Sequence, residues 1–587
     1  MYRNLLASEI EQLERQGNYA DDWTTLRVAD PFCARCIRNS TFEGAVSLGA
    51  IEAGTHSEGA LSLCEGIYNS TLRDTTVGAH PVIHNVHMLS GYSIGDNVML
   101  FNIDEMTCAP ESATWLEPMN ENGGRRILPF GGMTIGDAYM WARYRGHKKF
   151  MERLEQFTRE LLATPEGRYG QVGDSCVVKN TKRLHNVIIR STNEDRTVVD
   201  SCITLCDGVI GYGCTVEQGI IAERFLLGEH VHLEFGLRLN DTVVGDNSTL
   251  ARCEVGNSII FPAHEQHHNN SFLIAGLIMG QSNIAAGGTI GSNHNSRTAD
   301  NEIAAGRGFW PGLCCSFKHS SRFASYCLLA KADYPAELDI TLPFALVNNN
   351  TAKDQLEVMP AYWWMYNMYA MDRNSKKFAK RDKRKLKAQH IEFDNLAPDT
   401  AEEILGGMQL LRKWMANAKD GIVVAEGMEK SKRPTVVLKA KEGLHAYEEM
   451  LVFYAMKNLS TNQPTGVPTV TEWVNIGGQL VARPDMEQLI ADVESGAINS
   501  WEALHGRMDA LWQAYPAQRD AHAYSVLCRL AGVDRIDEAL WQRYQQRYGE
   551  IQQYIEEQKV ASRHKDEVNP FRNMTYWDEA ERAAVLE

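Results

Sequence analysis

Between Ile210 and Ile259 the apolar residues recur at an interval that neither a helix nor a simple alternating strand produces. Aliphatic-glycine pairs fall at Ile210-Gly211, Leu227-Gly228 and Val244-Gly245, 17 residues apart each time. Within one interval Leu227, Leu233 and Leu239 stand six apart. A helix face repeats every 3.6 residues and a half-buried strand every two. Period six instead predicts a three-sided coil of about 18 residues, with one short strand per side and one inward aliphatic near each corner. The glycine after the aliphatic residue is expected to let the chain turn there without a Cβ clash. The predicted fold is mainly a β solenoid, a left-handed parallel β-helix.

The same pattern is traceable through Leu48-Gly49, Val77-Gly78 and Ile94-Gly95, and Val77, Ile83, Leu89, Ile94 and Leu100 follow one another at six residues with one step short. Asp-Asn follows the pair in IGDN at 94–97 and in VGDN at 244–247, a turn-forming dipeptide suited to a corner. Residues 1–30 predict a short N-terminal helix and 31–103 the first coils. Residues 104–170 break the period with a turn-rich stretch and then a helix from about Asp137, whose Met140, Tyr144, Phe150, Leu154 and Phe157 approximate one face. This is an insertion beside the solenoid. Repeats resume at Val172-Gly173 and fill 171–347. A helical region with a basic segment is expected over 348–460, a linker over 461–480 and a C-terminal helical domain over 481–587. Leu540, Tyr544, Tyr548, Ile551 and Ile555 form the stripe of its last helix.

The 587 residues exceed one core, so several domains are expected. A net charge of -16 argues against general binding to nucleic acid or to an anionic membrane surface. No signal peptide and no apolar run long enough to span a membrane is read, and the thirteen cysteines are too sparse for a disulfide scaffold. The expected setting is cytoplasmic. Cys33-x2-Cys36 has no second pair at zinc-site spacing and reads as packing. The aromatic run Tyr362–Tyr369 reads as a helix packed on the solenoid, and the basic run Lys376–Lys387 as a solvated helix face.

Chemistry is expected where the coils turn polar and irregular, between 261 and 322. That stretch holds His264, His267, His268, His294 and His319, with Asn269, Asn283, Asn293, Arg297, Arg307, Lys318 and Arg322. Imidazole takes protons near neutral pH, amides hold an oxyanion, and guanidinium or ammonium groups hold phosphates.

The run Asn283-Ile284-Ala285-Ala286-Gly287-Gly288-Thr289-Ile290-Gly291-Ser292-Asn293-His294, downstream of His268, resembles the acetyltransferase half of the bifunctional N-acetylglucosamine-1-phosphate uridyltransferase/glucosamine-1-phosphate acetyltransferase. The likeness covers about a tenth of the chain. A broader one, to hexapeptide-repeat proteins generally, covers roughly 32–347, and the whole architecture, with its helical insertion and helical C-terminal region, resembles a group of large bacterial hexapeptide-repeat proteins. The local resemblance implies an acyltransferase acting on an amino sugar or sugar nucleotide with an acyl-CoA donor. His268, or His267, would be the general base. Asn269, Asn283, Asn293, His294 and Arg297 would contact substrate or acyl group, and Arg307, Lys318 and Arg322 would be the phosphate or CoA candidates. A homotrimer is implied as well. The chain departs from the family in carrying His294-Asn295 where the family has Tyr-Asp, and in lacking the nucleotidyltransferase domain. Two alternatives stand beside this reading. One is a non-catalytic sugar-nucleotide or polysaccharide-binding scaffold. The other is a metal site like that of the γ-class carbonic anhydrases, drawing on His80, His84 and His87 or on His230 and His232. Their spacing does not match that class, and no metal is favoured.

Overall fold

Three columns of inward side chains run through the computed structural model, which describes residues 2–109, 113–120, 124–291, 301–459 and 469–586. The first column passes through Phe42, Leu72, Leu89, Met106, Leu184, Leu205, Ala222, Leu239, Val255, Leu273, Ile290, Phe317 and Tyr334, each in parallel register with the next. The second includes Val77, Ile94, Val172, Ile189, Ile210, Leu227, Val244, Ile260 and Ile278. The third includes Leu100, Val178, Val199, Val216, Leu233, Leu250 and Gln266. All are buried. The chain is the left-handed parallel β-helix that period six predicts. A coil takes 17 residues because one side is a residue short, as the inward positions Leu205, Ile210, Val216 and Ala222 show.

The corner glycines avoid a Cβ clash, as expected, and do so without a left-handed conformation of their own. Gly211, Gly228 and Gly245 do not have positive φ; the left-handed residue comes two positions later, at Gly213, His230 and Asn247. Glycine is needed for space. A Cβ on Gly228 would stand 2.0 Å from Oδ1 of Asp246, and one on Gly211 would stand 2.2 Å from the Gly228 carbonyl oxygen. The aspartate of the GDN motif reaches back one coil: Oδ1 of Asp246 accepts from the Glu229 amide and Oδ1 of Asp96 from the Ala79 amide. The recurring dipeptide is thus an inter-coil clamp.

The second column has an apolar partner on its outer side. Ile188, Val209, Leu226, Val243, Ile259 and Leu277 each precede an inward residue, point outward and are buried. They form a second core with Tyr139, Met140 and Trp141 of the helix Ile135–Arg143, with Phe150, Leu154 and Phe157 of the helix Lys148–Leu162, and with Ile476, Leu489 and Trp501 from the C-terminal region. The insertion leaves the solenoid between the first and second columns, after Met106 and before Val172, and lies along that outer face.

The boundaries differ from expectation in three places. Parallel pairing already begins at Tyr19–Ala20, and the N-terminal helix is confined to Ala7–Arg15, because Leu26 and Val28 are themselves inward. The region after 347 opens as a hairpin, Leu346–Asn350 with Gln355–Met359, before the helices Met368–Arg381, Pro398–Ala416 and Ala440–Asn458. In the expected linker, 460–468 lie outside the described residues. Beyond them Trp473–Ile476 and Gln479–Ala482 form a hairpin whose second strand is buried. Trp363 and Trp364 are buried, and the Trp363 indole donates to the Tyr326 carbonyl at 2.8 Å, so the aromatic run does pack a helix on the solenoid. No helix among the described residues is long and apolar enough to cross a membrane.

Candidate functional site

One corner of the solenoid, between the second and third columns, is covered by the segment 382–403. Its hydrogen bonds follow the coils upward. The Lys385 amide donates to Asp195 at 2.9 Å and Arg384 pairs with Asp246. Gln281 donates to the Glu392 carbonyl at 2.8 Å. Arg307 makes a two-pronged pair with Asp399 at 2.9 and 2.7 Å and also donates to the Asp394 carbonyl at 2.8 Å. Glu403 accepts from the Ser325 amide at 2.9 Å and from the Ser325 hydroxyl at 3.2 Å. Gln389 ties this strap to the other layers, accepting from the Gly136 amide at 2.8 Å and donating to the Ile476 carbonyl at 3.1 Å.

Where solenoid, insertion, strap and hairpin meet they leave a cavity of about 680 Å³. The solenoid contributes Met279, Arg307 and Ser325. The insertion contributes Tyr139, Arg143 and Tyr144, and the helix Pro398–Ala416 contributes Asp399, Glu402 and Glu403. Trp473, Asn475 and Arg483 close it. Pro398 at the first helical position orients that helix so that its acidic first turns meet the corner. Burial, reinforced by the Asp399 charge, pushes the Glu403 carboxyl up to about 7, although the two bonds from Ser325 favour the charged form. A carboxyl that titrates there exchanges a proton at neutral pH. Glu402 is held by the His522 imidazole at 2.9 Å, itself bonded to the Tyr454 hydroxyl at 2.8 Å, and by Arg529. The indole Nε1 of Trp473 and the Nδ2 of Asn475 are buried donors without a partner among the described residues. Arg143 and Arg483 add positive charge, each with one carboxylate neighbour, Glu302 and Glu472.

The described residues among those expected from the sequence fall in three places. His267 and His268 lie side by side, ring centroids 4.5 Å apart, where the third column turns toward the first. His268 and Asn269 are exposed. Burial, with the neighbouring His268, lowers the His267 pKa. Asn283 is one coil on, the register partner of Glu265, which is paired with Lys377 and Arg381 of the helix Met368–Arg381. This set shares one region. Arg307 does not belong to it: it is buried at the covered corner, its charge taken by Asp399. Lys318 and Arg322 sit near the remaining corner, paired with Glu337 at 3.4 Å and Asp339 at 2.8 Å. Asn293, His294 and Arg297 lie outside the described residues. His264 faces inward: it is fully buried, bonded to Ser282 at 2.8 Å and Gln266 at 3.2 Å, and burial lowers its pKa to about 4. Part of the polarity between 261 and 322 is therefore interior.

His80 is bonded to Glu65 at 3.1 Å, His84 to the Cys64 carbonyl at 2.8 Å, and His230 to Asp195 at 3.0 Å. Among the described residues no group of three or more His, Cys, Asp or Glu side chains is arranged to hold a metal ion. Glu402, Glu403, Asp399, Arg143 and Trp473 escape a reading confined to the repeats, because they come from other parts of the chain. Two signals point to them. The paired apolar residues of the second column announce a covered face, and PDTAEE places three carboxylates in the first turns of a helix that starts at Pro398.

Residues 2–415 match the family described as "Domain of unknown function (DUF4954)". A protein of Treponema pallidum (strain Nichols), itself described as uncharacterized, is 42% identical over 653 aligned residues that take in 100% of this chain and 90% of the relative. That alignment extends past residue 415, over the stretch that contributes Trp473, Asn475 and Arg483 to the corner cavity.

Proposed function

The chain belongs to the DUF4954 family, and from the geometry of the covered corner we propose that it is an enzyme performing acid–base chemistry on an anionic, hydroxyl-bearing small molecule of the sugar-phosphate or sugar-nucleotide class. The observation that carries this reading is Glu403, a carboxyl anchored by Ser325 and brought to neutral titration in the wall of a cavity large enough for such a ligand. Arg143 and Arg483 supply the charge that would attract the anionic group, as guanidinium forks do for phosphate. Tyr139, Tyr144 and Trp473 offer faces for an apolar ring surface. The Arg307–Asp399 pair holds the helix carrying Glu403 against the solenoid. A thermal-shift screen of the full chain with UDP-sugars, sugar phosphates and acetyl-CoA tests the class. Stabilisation by an anionic sugar that Arg143→Ala abolishes supports the reading. No response to any of them, in wild type and Glu403→Gln alike, overturns it.

Acyl transfer with an acyl-CoA donor is a second reading, favoured by His267. Its lowered pKa leaves it neutral and able to accept a proton at pH 7, beside the cations Lys377 and Arg381. The corner it occupies is uncovered, with Ile203, Phe235 and Leu313 exposed on it. A neighbouring copy in a homotrimer would complete a site there. Acetyl-CoA turnover lost in His268→Ala and His267→Ala but kept in Glu403→Gln would select this reading over the first.

A further inference from the structure

A second cavity lies lower on the covered corner, three coils from Arg307 and about 430 Å³ in volume. Its walls are largely apolar: Met133 from the insertion, the outward Val209 from the solenoid, and Leu386 from the strap. Gly211 and Gly228 form part of the wall as bare backbone, with no room for a Cβ. Into this setting the fold places Glu229, whose residue surface is only 7% exposed. Its Oε2 has no hydrogen-bond partner among the described residues, its Oε1 receives a long contact from the Ala388 amide at 3.5 Å, and the Lys387 amide also favours its charged form.

The cations here are taken up by other carboxylates: Lys387 is paired with Asp382 at 3.7 Å. Glu229, Asp246 and Asp382 crowd one buried guanidinium, Arg384, which is bonded to Asp246 and Asp382 but not to Glu229. Burial, with Asp246 nearby, pushes the Glu229 carboxyl up to about 7. The cavity's other cation, Arg190, is turned to the Tyr212 hydroxyl through Nε at 2.9 Å and lies over the Tyr212 ring, 4.8 Å from its centre. A buried carboxylate with an unpartnered oxygen favours a positive partner that also replaces its lost hydrogen bonds. Apolar walls favour an organic body over a hydrated ion.

We propose that this cavity binds a small amine, its ammonium group on Glu229 and its apolar body against Met133, Val209 and Leu386. The site is separate from the one containing Glu403, and binding here would occur without chemistry on the amine. The test uses the full chain at pH 7.5 with cyclohexylamine, and with cyclohexanol as the uncharged counterpart. The expected result is a Tm rise of about 3 °C or more with the amine at saturating concentration, and none with the alcohol. Titration calorimetry in two buffers of different ionisation enthalpy should then report release of about a quarter of a proton per amine bound at pH 7.5, because the ammonium displaces the proton that Glu229 still partly carries there. The shift should vanish in Glu229→Gln and persist in Glu403→Gln. An equal response to cyclohexanol, a shift that survives Glu229→Gln, or one lost in Glu403→Gln overturns the proposal. If Glu229→Gln does not fold, Leu386→Trp decides the matter. Its indole fills the cavity from an exposed position on the strap, so loss of the amine shift supports the site and retention overturns it.

Discussion

Two corners of one solenoid behave as opposites. The corner between the third and first columns carries the motif with the family resemblance, His267, His268 and Asn269, yet it is open, and Phe235 and Leu313 are exposed on it. The corner between the second and third columns looks unremarkable in the repeats, yet three other parts of the chain close over it and create the two cavities. What differs is the cover. A β-helix presents the same backbone at every corner, and chemistry arises where added segments exclude water and bring side chains from distant sequence together. Buried carboxyls with raised pKa occur under the cover, at Glu229 and Glu403, whereas at the other two corners Arg322 is paired with Asp339 across adjacent coils and Glu265 with Lys377 and Arg381.

The sharpest way to break this contrast is to remove the clamp. Asp399→Ala leaves Arg307 buried and unpaired, which costs about 3–5 kcal/mol. Asp339→Ala leaves only the exposed Arg322 without its partner, and should cost about 0.5 kcal/mol or less. Urea unfolding of both variants reads the difference. Similar losses would mean that the strap is not what holds the covered corner together.

Glu403→Gln comes next, with two expected effects. On the proposed reading, catalysis falls by about 100-fold or more. Stability acquires a different pH dependence. The folded Glu403 pKa of about 7 lies above its unfolded value, so between those values the native state binds more protons than the unfolded chain. The carboxyl therefore costs nothing below the unfolded pKa, and its penalty grows as pH rises through 7. Glu403→Gln should remove that slope and, by pH 8, exceed wild type in stability by roughly 2 kcal/mol, part of the full linkage being lost to solvent in the cavity. A variant whose stability tracks wild type across this range would show that Glu403 is not desolvated.

These two predictions rest on residues that differ in how visible they were. The columns were legible because an inward aliphatic every five or six residues has no other structural source, and Leu227, Leu233 and Leu239 all fell where the spacing put them. Doublets such as Val209-Ile210 and Leu226-Leu227 also carried the information that one face is buried on both sides, since a solvated face would alternate. The site was harder to read for a physical reason. A polar residue in a coil is equally compatible with an outward contact and an inward network, and His264, bonded to Ser282 and Gln266 inside the solenoid, is the inward case. Arg307 was visible as a candidate, but its partner Asp399 lies 92 residues on, and nothing local to Gly306-Arg307-Gly308 announces it. Glu403 in turn owes its raised pKa to burial and to that same Asp399.

Glycines separate close packing from backbone freedom at the two corners. Gly228→Ala puts a Cβ 2.0 Å from the Asp246 carboxylate and must displace the inter-coil clamp, for about 2–3 kcal/mol. Gly236, on the open corner, has φ +75° and nothing within 4 Å of a new Cβ, so Gly236→Ala costs only the left-handed conformation, about 1 kcal/mol. Equal thermal shifts would place both effects in the backbone and remove the packing argument.

The smallest expected effect decides what the open corner is for. Phe235 is 43% exposed, under the Arg252 guanidinium 4.4 Å from its ring centre, and Leu313 is 55% exposed. In an isolated chain Phe235→Ser with Leu313→Ser removes little buried area, so unfolding should move by about 0.5 kcal/mol or less. Association through this corner would give the same double variant a second readout, a fall in sedimentation mass from trimer to monomer, because apolar anchors at an interface carry far more free energy than exposed ones. A mass unchanged by the double variant, whatever that mass is, would leave His267 and His268 facing solvent with no neighbour to complete a site. The acyl-transfer reading would then lose its structural support, and the covered corner would be the remaining place for chemistry.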